Sequence, residues 1–285
     1  MDIEARINNI VKIQLKDIPI LDRLPELDIA INAAIDAGNT ILEIYQGEIK
    51  KFTKQDDSPI TEADLKSNET IKRILSQTKY KILSEEDYDD KSRISEEIIW
   101  IVDPLDGTSD FIDKTGEFTV MIALVKNKKP ILGVIGWPTE KTLFVAQKGK
   151  GSFRYSNGEW SEITVTTISE LPKCRTVGSR HHLSDKEKKF IKKLGIEDFT
   201  SVGSSLKVGK IASGEAEAYI TTTNKMKEWD SAASYCIISE AGGKMTDISG
   251  NDITYNNKDV FHQNGILVTN KIIHQTIVDE FKKLE

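Results

Sequence analysis

The sequence has only two cysteines, Cys174 and Cys236, which lie far apart and form no Cys-x-x-Cys pair. This scarcity argues against a disulfide framework or a zinc–thiolate site, and it is typical of a cytoplasmic protein. No apolar run approaches the roughly 20 residues that a bilayer-spanning helix needs, so no membrane span is predicted. The first residues include acidic side chains and lack the apolar core of an export signal, so we expect no export.

Basic residues are also in the minority, because 39 Lys and Arg face 45 Asp and Glu, which gives a net charge of −6. Proteins that bind nucleic acid without sequence preference usually carry a basic excess, so no nucleic-acid polymer is expected as a partner. The acidic sign does not exclude a small anionic substrate, since a bound metal can reverse the field inside a cleft. The 285 residues, 38% of them hydrophobic, fit a globular protein of one large or two modest domains.

Helical and strand-like patterns divide the chain into an arm and two domains. Residues 1–25 predict an appended N-terminal arm without recognisable chemistry. Within 26–160, two helical patterns precede short strand-like runs that favour an antiparallel sheet, and the second helix opens with the capping-box pair Thr61 and Asp64. Within 161–285, strands and helices alternate, as is typical of an α/β unit.

The most informative segment is an apolar strand that leads into two carboxylates, Asp103 and Asp106, followed by Gly107. Burying two like charges at a strand end is costly unless a cation compensates them. Hard oxygen ligands with no nearby thiol or imidazole favour Mg²⁺ or Mn²⁺ over Zn²⁺. The alternative interpretation is an ordinary Asp-Gly turn with no metal.

Three further carboxylates have both a structural and a chemical interpretation. Glu85 follows a short strand and could project from a sheet edge, or it could belong to a solvated acidic loop. Asp64 could be only the partner of the Thr61 cap, and Asp230 stands where a helix begins, a position at which Asp is a favoured cap. Taken singly, each carboxylate is more simply explained by its structural role.

A candidate anion site lies at residues 202–207, where a predicted strand leads through Gly-Ser-Ser into a helix. The free N–H groups of a helix start attract phosphate, and Lys207 could add positive charge or be an ordinary surface lysine. A second candidate is the run Ser179, Arg180, His181 and His182, which could form a substrate loop, or the adjacent histidines could simply face solvent.

Taken together, these motifs resemble the lithium-sensitive, magnesium-dependent phosphatase superfamily that includes inositol monophosphatases and fructose-1,6-bisphosphatases. The resemblance runs from residue 27 to the end of the chain and rests on motifs in the family order: Ser84-Glu85-Glu86, Asp103 to Thr108, Trp229 to Ala233 and Glu240 to Gly243. It implies a layered αβαβα sandwich of the α/β class with the site between two halves. The 26–160 domain would carry most metal ligands, and the 161–285 domain would complete the site.

Within this superfamily the chain is most similar to the 3'(2'),5'-bisphosphate nucleotidases. The stretches that match this branch are Asp57–Thr61, Leu83–Asp87, Gly116–Val120 and Gly203–Lys207. Two stretches depart from it: Ser109-Asp110 replaces the Lys-Glu of many nucleotidases, and residues 221–228 differ from the bacterial pattern. The alternatives are an inositol or sugar-phosphate phosphatase with the same metal site, and a non-catalytic module that keeps the fold and an anion pocket.

The resemblance also implies roles for individual residues. Two or three Mg²⁺ ions, or Mn²⁺ in their place, would be bound by Glu85, Asp103, the carbonyl of Leu105, Asp106 and Asp230. Asp64 and Thr108 would position and deprotonate the attacking water. Substrate contacts would come from Gly107, Thr108, Ser179, His181, Ser204, Ser205, Lys207 and Asp230. The implied substrate is 3'-phosphoadenosine 5'-phosphate, hydrolysed to AMP and phosphate by a lithium-sensitive monomer or homodimer.

Overall fold

Two mixed β-sheets alternate with three helical layers in the computed structural model, which describes residues 17–54 and 57–284. The layers follow the order helix, sheet, helix, sheet, helix, as three hydrophobic clusters show. The predicted αβαβα sandwich is therefore confirmed. Most of the predicted arm, residues 1–16, lies outside the described residues. Ile18 and Ile20, by contrast, are buried in the hydrophobic cluster that contains the apolar face of the first helix.

The first layer consists of α1 (Pro25–Tyr45) and α2 (Glu62–Leu75). Apolar residues recur along α1 at helical spacing and are buried, and Pro25 starts the helix, where its missing N–H is not needed. The capping box predicted at Thr61 and Asp64 begins α2. Between the helices, β1 (Lys51–Thr53) and β2 (Pro59–Thr61) form an antiparallel hairpin.

The second layer is a seven-stranded sheet, in which only β3 and β4 are parallel. Its strands, in spatial order, are β3 (Lys81–Ser84), β4 (Ile98–Asp106), β5 (Thr119–Lys126), β6 (Lys129–Trp137), β7 (Thr142–Gln147), β8 (Ser152–Ser156) and β9 (Glu159–Glu162). Alternate side chains of β4 enter different cores: Trp100 and Val102 pack toward α1 and α2, and Ile99 and Ile101 toward the middle layer.

The second half contains the remaining layers. The short helix α3 (Thr108–Ile112) still belongs to the first half, where it follows β4. The elements of the second half are β10 (Arg175–Ser179), α4 (Asp185–Lys193), β11 (Asp198–Val202), α5 (Leu206–Ala212), β12 (Ala218–Thr221), α6 (Ala232–Glu240), β13 (Lys244–Thr246), β14 (Ile266–Thr269) and α7 (His274–Lys282). The five-stranded sheet has the order β11-β10-β12-β14-β13. Helices α5 and α6 lie between the sheets, and α4 and α7 cover the outer face.

The two halves share the middle core, in which Ile101 of the first sheet and Val268 of the second belong to one cluster. The seven-stranded sheet continues to Glu162, just beyond the predicted boundary after residue 160. Both cysteines are buried free thiols. Among the described residues, no helix has both the length and the apolar character that crossing a membrane would require.

Candidate metal and phosphate site

Three carboxylates from distant parts of the chain converge where the halves meet. Single oxygen atoms of Glu85, Asp103 and Asp230 all lie within 4.8 Å of one another. Glu85 and Asp103 are neighbours because β3 and β4 are parallel, with Ser84 paired to Val102, so each acid follows at the same sheet edge. Asp230 comes from the second half, at the end of a 3₁₀ turn before α6.

The electrostatics of this cluster favour the binding of a cation. Burial raises the pKa of Asp103 well above its ordinary value, and the carboxylates of Glu85, Asp106 and Asp230 raise it further. Burial likewise raises the pKa of Asp230, with Glu85 as the next contributor. Like charges this close disfavour simultaneous ionisation unless positive charge compensates them. Because the donors are all carboxylate oxygens, the set fits Mg²⁺ or Mn²⁺.

Asp106 and Leu105 lie beside this cluster. A β-bulge between Asp103 and Asp106 places three residue steps of β4 opposite two of β5. In a regular strand, residues three apart face opposite sides, so the extra residue removes that mismatch. The Asp106 carboxylate accepts the N–H of Ser205, and Leu105 N–H donates to Asp103 Oδ1 at 3.1 Å. Burial raises the pKa of Asp106, which the Lys207 ammonium partly offsets.

Asp64 and Thr108 form a hydrogen-bonded pair. The Thr108 hydroxyl lies 2.9 Å from Asp64 Oδ1 and 3.3 Å from the Leu105 carbonyl. A hydroxyl donates one hydrogen, so we assign it to the shorter contact with Asp64. Asp64 Oδ2 accepts both the N–H and the hydroxyl of Thr61, and burial raises its pKa. The capping interpretation of Asp64 is therefore confirmed, and the same carboxylate also accepts a hydrogen bond from Thr108.

Asp230 does not cap α6. Ser231 precedes that helix and makes no side-chain cap, whereas the Asp230 carboxylate accepts the N–H of Lys227 at 2.7 Å. The expectation of an ordinary N-cap at Asp230 was wrong, because its side chain is directed into the carboxylate cluster instead.

The sequence pattern missed the contribution of Lys54 and Glu86. Lys54 Nζ lies 2.9 Å from Glu85 and 2.8 Å from Glu86. Burial alone would lower the pKa of Lys54, but the two carboxylates raise it above its ordinary value. Burial raises the pKa of Glu86 to about 7. Lys54 is far from both acids in sequence, and no periodic pattern links them.

Lys207 is buried rather than an ordinary surface lysine, with 8% of its surface exposed. Its ammonium donates to the carbonyl of Ser204 and lies 5.4 Å from the ring centroid of Tyr219. Burial lowers the pKa of Lys207, and the carboxylate of Asp106 makes the largest contribution against this shift. The surface interpretation was therefore wrong, and Lys207 is a buried cation beside the carboxylates.

The remaining candidate contacts lie at the same junction of the two halves. The Ser205 hydroxyl is 2.7 Å from that of Thr119. Ser204 has a φ of 48°, and its buried hydroxyl has no hydrogen-bond partner among the described residues. Ser179 accepts the N–H of His182, so it also stabilises its own turn.

A charged network that the sequence pattern did not reveal borders these residues. Arg180 donates to Asp110 at 3.0 Å and to Glu117 at 2.5 Å, and His181 lies 3.4 Å from Asp110. Glu117 in turn accepts the N–H of Gly203. Asp110 and Glu117 belong to the first half and Arg180 to the second, so this network joins the halves beside the candidate anion site.

Position 107 requires glycine, because of its backbone conformation and because of the atoms around it. Its φ of 93° is a left-handed value that side chains disfavour, and a Cβ atom there would lie 3.2 Å from both the Glu117 carbonyl oxygen and Ser204 Cβ. Gly107 therefore lets the chain turn sharply from the Asp106 strand into α3, which begins at Thr108.

Comparisons with known proteins agree with this geometry. The profile of the inositol monophosphatase family matches residues 22–285. The 3'(2'),5'-bisphosphate nucleotidase CysQ of Salmonella typhimurium is 36% identical over 241 residues, covering 83% of this chain and 96% of the relative. The Escherichia coli K12 protein of the same name is 34% identical over 249 residues, covering 85% of this chain and 99% of its own.

Solved structures give the same result. CysQ from Bacteroides thetaiotaomicron, described as a bacterial member of the inositol monophosphatase family, aligns with a TM-score of 0.77 at 33% identity, covering 88% of this chain and 99% of the other. A Thermotoga maritima IMPase aligns with a TM-score of 0.78 at 25% identity, covering 92% of this chain and 98% of its own.

Proposed function

This chain belongs to the inositol monophosphatase family of phosphoric monoester hydrolases, and we propose that it is a Mg²⁺-dependent 3'(2'),5'-bisphosphate nucleotidase. Its substrate would be 3'-phosphoadenosine 5'-phosphate, and its products AMP and phosphate. The observation that carries the hydrolase part is the convergence of Glu85, Asp103 and Asp230 beside the Asp64–Thr108 pair. We place the protein in the cytoplasm.

The carboxylates of Glu85, Asp103, Asp106 and Asp230, with the carbonyl of Leu105, would hold two or three divalent cations. When bound, such cations lower the pKa of water and stabilise negative charge on phosphate oxygens. The protein contributes the fixed geometry of the acids, because two strands and a turn from opposite halves hold them in place.

The Asp64–Thr108 pair supplies a path for the proton of the attacking water. The Thr108 hydroxyl donates to Asp64 Oδ1, which leaves its oxygen lone pairs able to accept a proton from water. As Thr108 accepts that proton, its own hydrogen passes to Asp64. Burial raises the pKa of Asp64, which makes the carboxylate a stronger base. The two bonds from Thr61 hold Asp64 in the required orientation.

A buried cation supports the preference for a substrate with two phosphate groups. Lys207 lies at the start of α5, beside the Gly203-Ser204-Ser205 turn. Its ammonium would attract the phosphate that is not hydrolysed, and the Ser204 hydroxyl, which has no hydrogen-bond partner among the described residues, could donate to the same oxygens. The CysQ relatives, at 33–36% identity over most of the chain, support the nucleotide assignment.

The proposal is tested by a panel of phosphate esters with Mg²⁺, with released phosphate as the readout. We expect the highest kcat/KM for 3'-phosphoadenosine 5'-phosphate and lower values for inositol 1-phosphate and sugar phosphates. The opposite order would replace the nucleotidase assignment with an inositol or sugar-phosphate phosphatase. No hydrolysis of any ester with Mg²⁺ or Mn²⁺ would refute the enzymatic assignment and favour a non-catalytic module.

A further inference from the structure

A buried arginine outside the site joins the two halves of the protein. Arg93 lies in a 3₁₀ turn of the first half and is only 2% exposed. It donates to Asp89 at 2.7 Å, to the side chain of Asn256 at 2.8 Å and to the carbonyl of Asn257 at 3.0 Å. The side chain of Asn256 returns a hydrogen bond to the carbonyl of Arg93 at 3.1 Å.

The same two asparagines hold a buried glutamate of the second half. Glu228 is 1% exposed, and one of its oxygens accepts the N–H of Asn256 at 2.7 Å. Its other oxygen accepts the N–H and the side-chain amide of Asn257, at 2.8 and 3.0 Å. We call Asp89, Arg93, Asn256, Asn257 and Glu228 the interhalf brace. Every residue of this brace makes a charged or amide hydrogen bond to another.

Each end of the interhalf brace is continuous with a segment that carries a metal-ligand candidate. Asp89 and Arg93 lie on the segment that follows Glu85, and Glu228 begins the 3₁₀ turn that ends at Asp230. The brace therefore connects the Glu85 segment to the Asp230 turn by a route outside the carboxylate cluster. None of its residues belongs to that cluster.

We propose that the interhalf brace positions Glu85 and Asp230 relative to each other and so sets the affinity of the site for divalent cations. Two carboxylates that repel each other separate unless a cation or the surrounding structure restrains them. The brace supplies that restraint before a cation binds, so less of the binding free energy is spent on ordering the ligands. This inference rests on the proposed metal site, for which these five residues are positioning residues.

The test compares Mn²⁺ binding by the full chain and its variants, measured by calorimetry and by electron paramagnetic resonance of free Mn²⁺. Arg93→Ala should weaken Mn²⁺ binding about 10-fold or more, the usual effect of losing a residue that orients metal ligands. Arg93→Lys keeps the charge without the forked geometry and should recover part of the affinity. A wild-type Mn²⁺ affinity in folded Arg93→Ala would overturn the inference.

The matched control is a variant that removes a different ion pair, the one between Arg175 and Glu217. These two side chains lie 2.6 Å apart, and the Glu217 side chain is fully buried. Arg175 begins β10, whereas the site lies at the other end of that strand, so Arg175→Ala should lower the Tm without changing Mn²⁺ affinity. An equal loss of affinity in this control would overturn the inference as well.

Two further outcomes separate the inference from the proposed function. If Arg93→Ala does not fold, Asn257→Ala decides the question: it removes one hydrogen bond to Glu228, and it should weaken Mn²⁺ binding about 3-fold or more, the effect of losing a single hydrogen bond. Unchanged binding in that variant would overturn the brace alone. Failure of the wild-type chain to bind Mn²⁺ would overturn the proposed function together with the brace.

Discussion

The Thr108 hydroxyl is the group through which water would lose its proton to Asp64, 2.9 Å away. Replacing it with the isosteric Thr108→Val should lower kcat by about 10²–10⁴, the usual contribution of general base catalysis. Mn²⁺ affinity should change little, because Thr108 contributes no carboxylate. Thr108→Ser keeps the hydroxyl and should retain activity within about 10-fold. Steady-state phosphate release checks both, and an active Thr108→Val enzyme would contradict the proton path.

Asp103 gives a prediction about pH, because burial and neighbouring carboxylates raise its pKa in the folded, metal-free protein. The folded state then holds a proton that the unfolded state loses above about pH 4, so this group destabilises the fold as pH rises through its raised pKa. Asp103→Asn removes that effect and should stabilise the metal-free protein at pH 8. Near pH 3, where Asp103 is protonated in both states, the difference should vanish.

Urea unfolding in EDTA across that pH range measures this difference for Asp103→Asn and wild type. The same variant should lose Mn²⁺ binding and turnover, since a shared metal ligand is gone. Metal-free Asp103→Asn that is less stable than wild type at pH 8 would show that the carboxylate cluster is not electrostatically strained.

A substitution at Lys207 tests whether the protein recognises the second phosphate group of its substrate. Because a hydrogen bond to a charged group contributes about 1.5–3 kcal/mol, Lys207→Met should raise KM for 3'-phosphoadenosine 5'-phosphate roughly 10- to 100-fold. The KM for adenosine 3'-monophosphate, which lacks the second phosphate, should change far less. Lys210→Met, which removes a half-buried lysine of the same helix paired with Glu215, serves as the control. Equal losses for both esters would contradict the assigned role.

At the scale of elements, the turn from β4 into α3 depends on Gly107. Gly107→Ala forces a side chain into a left-handed conformation, which costs about 1–2 kcal/mol, and crowds the Glu117 carbonyl and Ser204. Gly149→Ala has a similar φ of 76° but open space, so it isolates the backbone cost. We expect the larger stability loss in Gly107→Ala, where crowding adds to the backbone cost, and a reduced kcat in that variant only, because only that change displaces Thr108. Urea unfolding and phosphate release measure both effects.

The sequence predicted those elements that carry a periodic or capping pattern. The Thr61–Asp64 box and the apolar strand before Asp103 were both confirmed, because each signal lies within a few residues. The short strands β1, β2, β9 and β13 were not predicted, since none of them contains two adjacent aliphatic or aromatic residues that would mark an apolar run. Motif resemblance, rather than periodicity, identified Glu85 and Asp230 as partners.

At the scale of the whole molecule, the site exists only because the halves meet. Contacts between distant residues, such as Lys54 with Glu86 and Arg93 with Asn256, had no signal in a single sequence. These pairs satisfy buried charges whose partners are fixed by the packing of layers rather than by spacing along the chain. The carboxylates of Glu85, Asp103 and Asp230 are likewise brought together by the packing of layers. Their mutual repulsion is the reason to expect a divalent cation.

The most direct test of that expectation is an anomalous-difference map from a crystal of the wild-type protein grown with Mn²⁺. The account predicts a peak between the carboxylates of Glu85, Asp103 and Asp230, with oxygen distances close to the roughly 2.0–2.1 Å of Mg²⁺ sites. The absence of a peak among these three side chains, in a well-ordered crystal grown with Mn²⁺, would contradict the account, whether or not Mn²⁺ is bound elsewhere in the crystal.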